Sequence, residues 1–159
     1  MSAADIANDL AFLAETPKRV ATLVQGLDRD QMRIRGPGDG FSAVEQVCHL
    51  RDVEQDGYTV RARRMLEEDD PQLASVDGSQ LAIERDYQSQ NLAMALLAFD
   101  TLRHETLHLI KNASAAQLER RGHFADCPAF TVSGLARMMR EHDTEHLAEL
   151  EALRSQLKA

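Results

Sequence analysis

The sequence predicts an all-α protein, a four-helix bundle, and three observations carry that expectation. Hydrophobic residues make up 43% of the 159, yet aromatics only 4%, with no Trp. Ala and Leu therefore fill the apolar positions, and both favour helix. Four long segments repeat their apolar residues at helical spacing, and none alternates with the period of two that a strand requires. Strong breakers, chiefly Gly36-Pro37-Gly38-Asp39-Gly40 and Asp69-Asp70-Pro71, fall between the segments. Helices with one apolar stripe each bury it against one another, so residues 1–159 are expected to form a single domain.

The first helix spans about Ala4 to Leu27 and contains Thr16-Pro17, where Pro should kink or restart it with Thr16 as an N-cap. The second opens at Phe41-Ser42-Ala43-Val44-Glu45. Ser42 followed three residues later by Glu45 is a capping box. That helix should run to about Glu68, with Val44, Cys48, Ala62 and Leu66 as its main stripe. The third covers Ser79 to Asn112 and is expected to break near Tyr87, since the segment is long for a globular helix. A connector with Gly122 and Pro128 follows, and the fourth helix runs from Thr131 or Ser133 to about Leu157.

Charge excludes some function classes. The net charge of −8 disfavours a nucleic-acid partner, which would want a basic stripe, and an anionic membrane surface. No apolar run approaches the roughly 20 residues of a membrane span. The N-terminal segment lacks the basic and apolar regions of a signal peptide, and Cys48 and Cys127 are too few for a disulfide scaffold. Free thiols in a reducing cytoplasm and a small-molecule substrate are the expectations.

Two His pairs have i, i+4 spacing, HETLH at 104–108 and HDTEH at 142–146. The first spells the zinc-protease pattern H-E-x-x-H, but the downstream G-x-x-H extension is missing. On the third helix Leu92, Leu96, Phe99, Thr106 and Ile110 share a face, and His104 and His108 fall roughly 120–160° away from it. On the fourth, His142 and His146 lie within about 20° of the stripe formed by Leu135, Met139, Leu150, Leu153 and Leu157. Two inward imidazoles one turn apart must satisfy their ring nitrogens, and a shared metal ion or buried Asp or Glu partners can do so. Periodicity does not select a third ligand. His49 lies about 100° from the main stripe, on a face with Val53 and Val60.

Phe41-Ser42-Ala43-Val44-Glu45, then His49-Leu50-Arg51-Asp52, then His142-Asp143-Thr144-Glu145-His146-Leu147 stand in an order and spacing that resemble the DinB/YfiT-like superfamily of four-helix-bundle metalloproteins. The resemblance covers nearly the whole chain, including Val76-Asp77-Gly78 in the connector. Phe41 stands where many relatives carry Trp. The resemblance implies DinB/YfiT-like topology and a metal triad of His49, His142 and His146. Three imidazoles suit zinc, nickel, iron or copper, and zinc or nickel is the divalent metal expected. The resemblance also implies a metal-dependent enzyme, a homodimer in many relatives, and transfer chemistry using a low-molecular-weight thiol. The alternative is a non-catalytic metal-binding bundle or binding module.

No residue is singled out as catalytic. Asp52, one turn after His49, is either an orienting partner for an imidazole or a solvated surface acid. Asp143 and Glu145 flank the late pair and are either partners of the ligands or exposed charges. Arg61, Arg63 and Arg64 either hold a carboxylate of substrate or cofactor or pair along the helix, Arg64 with Glu67 or Glu68. Met65, Met94, Met138 and Met139 are read as packing.

Overall fold

The structure is a computed structural model, and it describes residues 2–159. Helix α1 (Ala3–Val24) opens with a capping box in which Ser2 and Asp5 exchange bonds. It runs through Pro17 without ending. Thr16 is therefore not an N-cap; its hydroxyl bonds back to the Phe12 carbonyl at 3.3 Å. Proline has no N–H, so the carbonyl four residues earlier loses its helical donor. That carbonyl belongs to Leu13, and it accepts from Arg103 Nη1 at 3.1 Å instead.

The expected second helix exists, but as α2 (Ala43–Asp52), a π-helical turn (Val53–Tyr58) and α3 (Thr59–Glu67) in direct succession. Its start carries the capping box of Ser42 and Glu45, with Ser42 N donating to Glu45 Oε2 at 2.8 Å. The π turn has a consequence for the apolar stripe. Val44 and Cys48 join one core cluster, with Phe99, Leu147 and Leu150. Ala62 and Met65 join another, with Leu107, Leu135 and Met139. The single stripe expected over the whole helix is thus divided between two clusters, each completed by residues of α5 and α7. Val60 is exposed at 42%.

The third segment breaks where expected. Helix α4 (Gly78–Glu84) ends before Asp86, which takes a left-handed φ of 43°, and a 3₁₀ turn (Tyr87–Ser89) leads to α5 (Leu92–Lys111), capped by Asn91. After a short α6 (Ala115–Leu118) comes α7 (Val132–Lys158), capped by Thr131. A small sheet was not expected. β1 (Gln72–Leu73) pairs in parallel with β2 (Arg121–Phe124), which pairs antiparallel with β3 (Phe130–Thr131). Strands of two to four residues are too short to show alternation.

Around the bundle, α1 packs on α5 and α7, and α2–α3 packs on the same two helices. The first two long helices are therefore diagonal, and α7 lies against both. Polar ties cross these contacts. Asp9 is paired with Arg137 and Arg140, and the Thr59 and Thr106 hydroxyls bond at 2.7 Å. No helix is long and apolar enough to cross a membrane. Met94 is 64% exposed, so it is not core packing.

Candidate metal centre

Helices α2 and α7 meet at one end of a cavity of about 940 Å³. His49 comes from α2, and His142 and His146 come one turn apart from α7. Their candidate ligand nitrogens all lie within 4.8 Å of one another. His49 Nε2 is 3.1 Å from His142 Nε2. Ring centres are separated by 4.5 Å for His49–His146 and 4.4 Å for His142–His146. The three rings line the cavity together with Phe41, Tyr58 and Arg61.

The protonation states suit ligation. Burial, followed by the charges of His146 and His142, pushes the His49 imidazole down to about 3. Burial and His142 also lower His146, against the opposing pull of Glu149. Both are neutral near neutrality and keep a lone pair to offer. His146 Nδ1 sits 2.7 Å from Gln46 Oε1 and 3.1 Å from Glu149 Oε2, two acceptors. It therefore carries the proton, which leaves Nε2 as the free donor of a lone pair. Gln46 is itself fixed, because its Nε2 donates to Glu149 at 2.6 Å.

Without an ion the cluster is poorly satisfied. His49 Nδ1 and His142 Nδ1 are buried without a hydrogen-bond partner. One N–H···N bond between the two Nε2 atoms would be the sole hydrogen bond for both rings, which is costly in a buried site. A cation held through the Nε2 atoms would take both lone pairs at once and would leave the N–H on each Nδ1. For His142 the nearest carboxylate is Asp143 Oδ1 at 3.9 Å, just beyond bonding range. The donor set therefore fits a divalent ion of the zinc or nickel type. No carboxylate or thiol joins the three nitrogens among the described residues.

The flanking acids divide. Asp143 is fully buried and not an exposed charge: Arg103 grips it through Nη1 at 2.6 Å and Nη2 at 3.1 Å. Burial alone would raise its carboxyl, but the Arg103 charge overrides it and holds the group at about 2. Arg103, itself 1% exposed, also binds Glu54 at 2.8 Å. Asp52 is buried as well, but it does not bond an imidazole. It accepts from Tyr87, Arg51 and Arg85, and so pins the α4–α5 break to α2. Burial pushes its carboxyl up; those partners pull it below the usual range. Glu145 is exposed and remains a surface charge.

His104 and His108 lie on the solvent side of α5, away from the cluster. His123 is in β2, 3.2 Å from Asp70. Arg64 pairs with Glu68 and Arg63 with Glu105, while Arg61 points into the cavity. Both cysteines are free, and burial raises the Cys48 thiol to about 11.

The DinB superfamily model matches residues 13–150. The chain belongs to the DinB superfamily. Two similar proteins bear the name "Putative metal-dependent hydrolase". The one from Halalkalibacterium halodurans is 23% identical over 147 residues, covering 92% of this chain and 85% of its own. The one from Geobacillus thermodenitrificans is 24% identical over 157 residues, covering 96% and 85%. Among solved structures, YfiT from Bacillus subtilis superposes with a TM-score of 0.91 at 18% identity, over 99% of this chain and 90% of that one. It is described as a probable metal-dependent hydrolase with an unusual four-helix bundle topology.

Sequence reasoning passed over several residues of this DinB-family site. Glu149 stands three positions after His146, a spacing that signals a same-face partner. Gln46 and Tyr58 gave no such signal. Gly78 did so only through the Val76-Asp77-Gly78 resemblance. A Cβ built on Gly78 would overlap the His49 ring at Cε1 and Nδ1, so only glycine lets α4 close over that imidazole.

Proposed function

We propose that this protein is a divalent-metal-dependent enzyme, with His49, His142 and His146 as the protein ligands of a catalytic ion. The convergence of three imidazoles at the wall of a large open cavity carries this reading. A structural site would be closed by a fourth protein ligand, and the nearest carboxylate, Glu149, is instead engaged with Gln46 and the far nitrogen of His146. When bound, a divalent ion supplies Lewis acidity, which activates a nucleophile or polarises a carbonyl. The chain's own groups fix the imidazoles: Gln46 and Glu149 orient His146, and Gly78 backs His49. Phe41 and Tyr58 shield them on the cavity side.

The nucleophile divides two versions of this reading. The similar proteins named as hydrolases point to water. The cavity volume, near the upper end for small-molecule sites, leaves room for two organic reactants side by side, which suits transfer of a low-molecular-weight thiol to an acceptor. Neither cysteine of the chain lines the cavity, so such a thiol would be supplied as a substrate.

Metal content measured by elemental mass spectrometry, after loading with zinc or nickel and desalting, tests the site. Wild type and His104→Ala are expected to keep about one ion per chain and His142→Ala to lose it. Retention by His142→Ala, or no uptake by wild type, overturns the reading. Loaded protein is then assayed with a chromogenic ester and, separately, with a chloronitroarene plus free cysteine. Turnover of the ester alone assigns hydrolysis; turnover of the arene only when thiol is present assigns transfer.

A further inference from the structure

We propose that Arg61 is the anchor for a carboxylate group carried by the substrate. The proposal rests on the cavity being the substrate site and adds the chemical class of what enters it. Arg61 is only 7% exposed, and it lines the same cavity as the three histidines. Other arginines near the site have carboxylate partners: Arg35 has Glu45, Arg51 has Asp52, and Arg103 has Glu54 and Asp143. Among the described residues, Arg61 has none. A guanidinium this buried is costly unless something balances its charge. Burial does lower its proton affinity, and Tyr58 alone opposes that.

The side chain is held ready and left incomplete. Nε and Nη2 donate to the Ala74 carbonyl at 3.3 and 3.1 Å. Its Cζ stands over the ring of Phe124, 4.9 Å from the centre, and over that of Tyr58, 5.4 Å from the centre. Nη1 donates to no described residue, and it is not sealed off as the orphaned nitrogens of His49 and His142 are. Gly57 leaves it room, since a Cβ there would stand 3.3 Å from Nη1. Tyr58 bridges the two features, with its ring centre 5.7 Å from that of His142. Tyr58 thus stands beside both the guanidinium and His142, and all three line one cavity.

Helix geometry explains why the two share a wall. In an uninterrupted α-helix, twelve residues would separate His49 and Arg61 by about 120° around the axis. A π turn holds roughly one extra residue, which takes back about 100° and leaves them about 20° apart. Without the Val53–Tyr58 turn, Arg61 would face elsewhere.

A single carboxylate suits the site better than a phosphate. One nitrogen remains free, and Asp39, Glu45, Asp86 and Glu149 also line the cavity. A dianion would meet those charges with Arg61 as the one lining guanidinium free to answer it, since Arg35 is occupied by Glu45.

The test compares β-mercaptopropionate with its neutral counterpart, mercaptopropanol, titrated calorimetrically into zinc-loaded wild type, Arg61→Met and Arg61→Lys. The Arg61 Nε–H signal is followed by NMR in the wild type. The acid is expected to bind wild type about tenfold or more tighter than the alcohol and to shift that signal. Arg61→Met should abolish the preference, and Arg61→Lys should retain part of it, all three keeping the same zinc content. Equal binding of acid and alcohol by wild type overturns the proposal whatever the variants do. So does a wild-type preference in Arg61→Met that still melts cooperatively. If wild type takes up no zinc, the metal reading fails by itself. Propionate against propanol on the zinc-free proteins then decides the carboxylate site by the same criteria.

Discussion

Replacing Asp143 by Asn tests whether the buried ionic triad holds in place the helix that carries His142 and His146. The substitution keeps the shape and removes one charge from the Arg103–Glu54–Asp143 group, all three members being buried. Holding the Asp143 carboxyl at about 2 instead of its ordinary 3.8 corresponds to on the order of 2 kcal/mol of linked stability. Arg103 would also keep Glu54 as its only carboxylate, one whose Oε1 already lacks a partner, so the total loss should reach about 3 kcal/mol. For a chain of this length that lowers Tm by roughly 6–12 °C. Arg103→Met should be worse, because it leaves two buried carboxylates facing each other without a cation. Replacing all three with apolar residues should recover much of that loss, since no buried charge is then stranded. Urea denaturation and calorimetric melting of metal-free protein provide the assay. If Asp143→Asn stays within about 0.5 kcal/mol of wild type, or if the triple variant is as unstable as Arg103→Met, the triad is not the stabilising unit described.

Three further outcomes follow from the site. Gly78→Ala places a methyl against the His49 ring, so zinc affinity measured by chelator competition should fall at least about tenfold; an unchanged affinity would mean that α4 yields freely. Gln46→Leu removes an acceptor from His146 Nδ1 and should weaken metal binding by about tenfold to a hundredfold, with a smaller change in Tm. Metal-free protein should lose stability on acidification. His49 is depressed to about 3 when folded and titrates near 6.5 when unfolded, so the unfolded chain takes up its proton first. Its contribution is complete above 6.5 and declines as pH falls toward about 3. A urea midpoint that is the same at about pH 7.5 and about pH 5 would contradict this sign.

How much the sequence disclosed depended on whether one helix sufficed to carry the argument. His142 and His146 were legible because α7 is a regular helix, and 100° steps place them beside Leu135 and Met139. The outward facing of His104 and His108 followed for the same reason on α5. His49 came only from the family pattern. The π turn three residues after Leu50 voids the bookkeeping along that segment, and it merged Val44 and Ala62 into a stripe that the fold splits between two clusters. Asp52 and Asp143 looked like surface acids because their partners, Tyr87 and Arg103, are 35 and 40 residues away in sequence. Periodicity along one helix contains no information about such pairs.

Three local irregularities converge on one guanidinium. Pro17 frees the Leu13 carbonyl in α1, and Arg103 of α5 takes it. The π turn carries Glu54, and Arg103 takes that too. Asp143 of α7 completes the set, one residue after His142. Each feature alone would be a defect: a missing helical bond, an overwide turn, a buried charge. Joined, they tie all four long helical segments together at the level of the histidines. An apolar core could pack there with less electrostatic penalty, so stability alone does not account for the triad. What it adds is position. A carboxylate gripped by two guanidinium nitrogens cannot turn away, and it faces the buried Nδ1 of His142 from 3.9 Å. A small inward shift of that ring would close the bond, fix its tautomer and present Nε2 to the centre of the cluster.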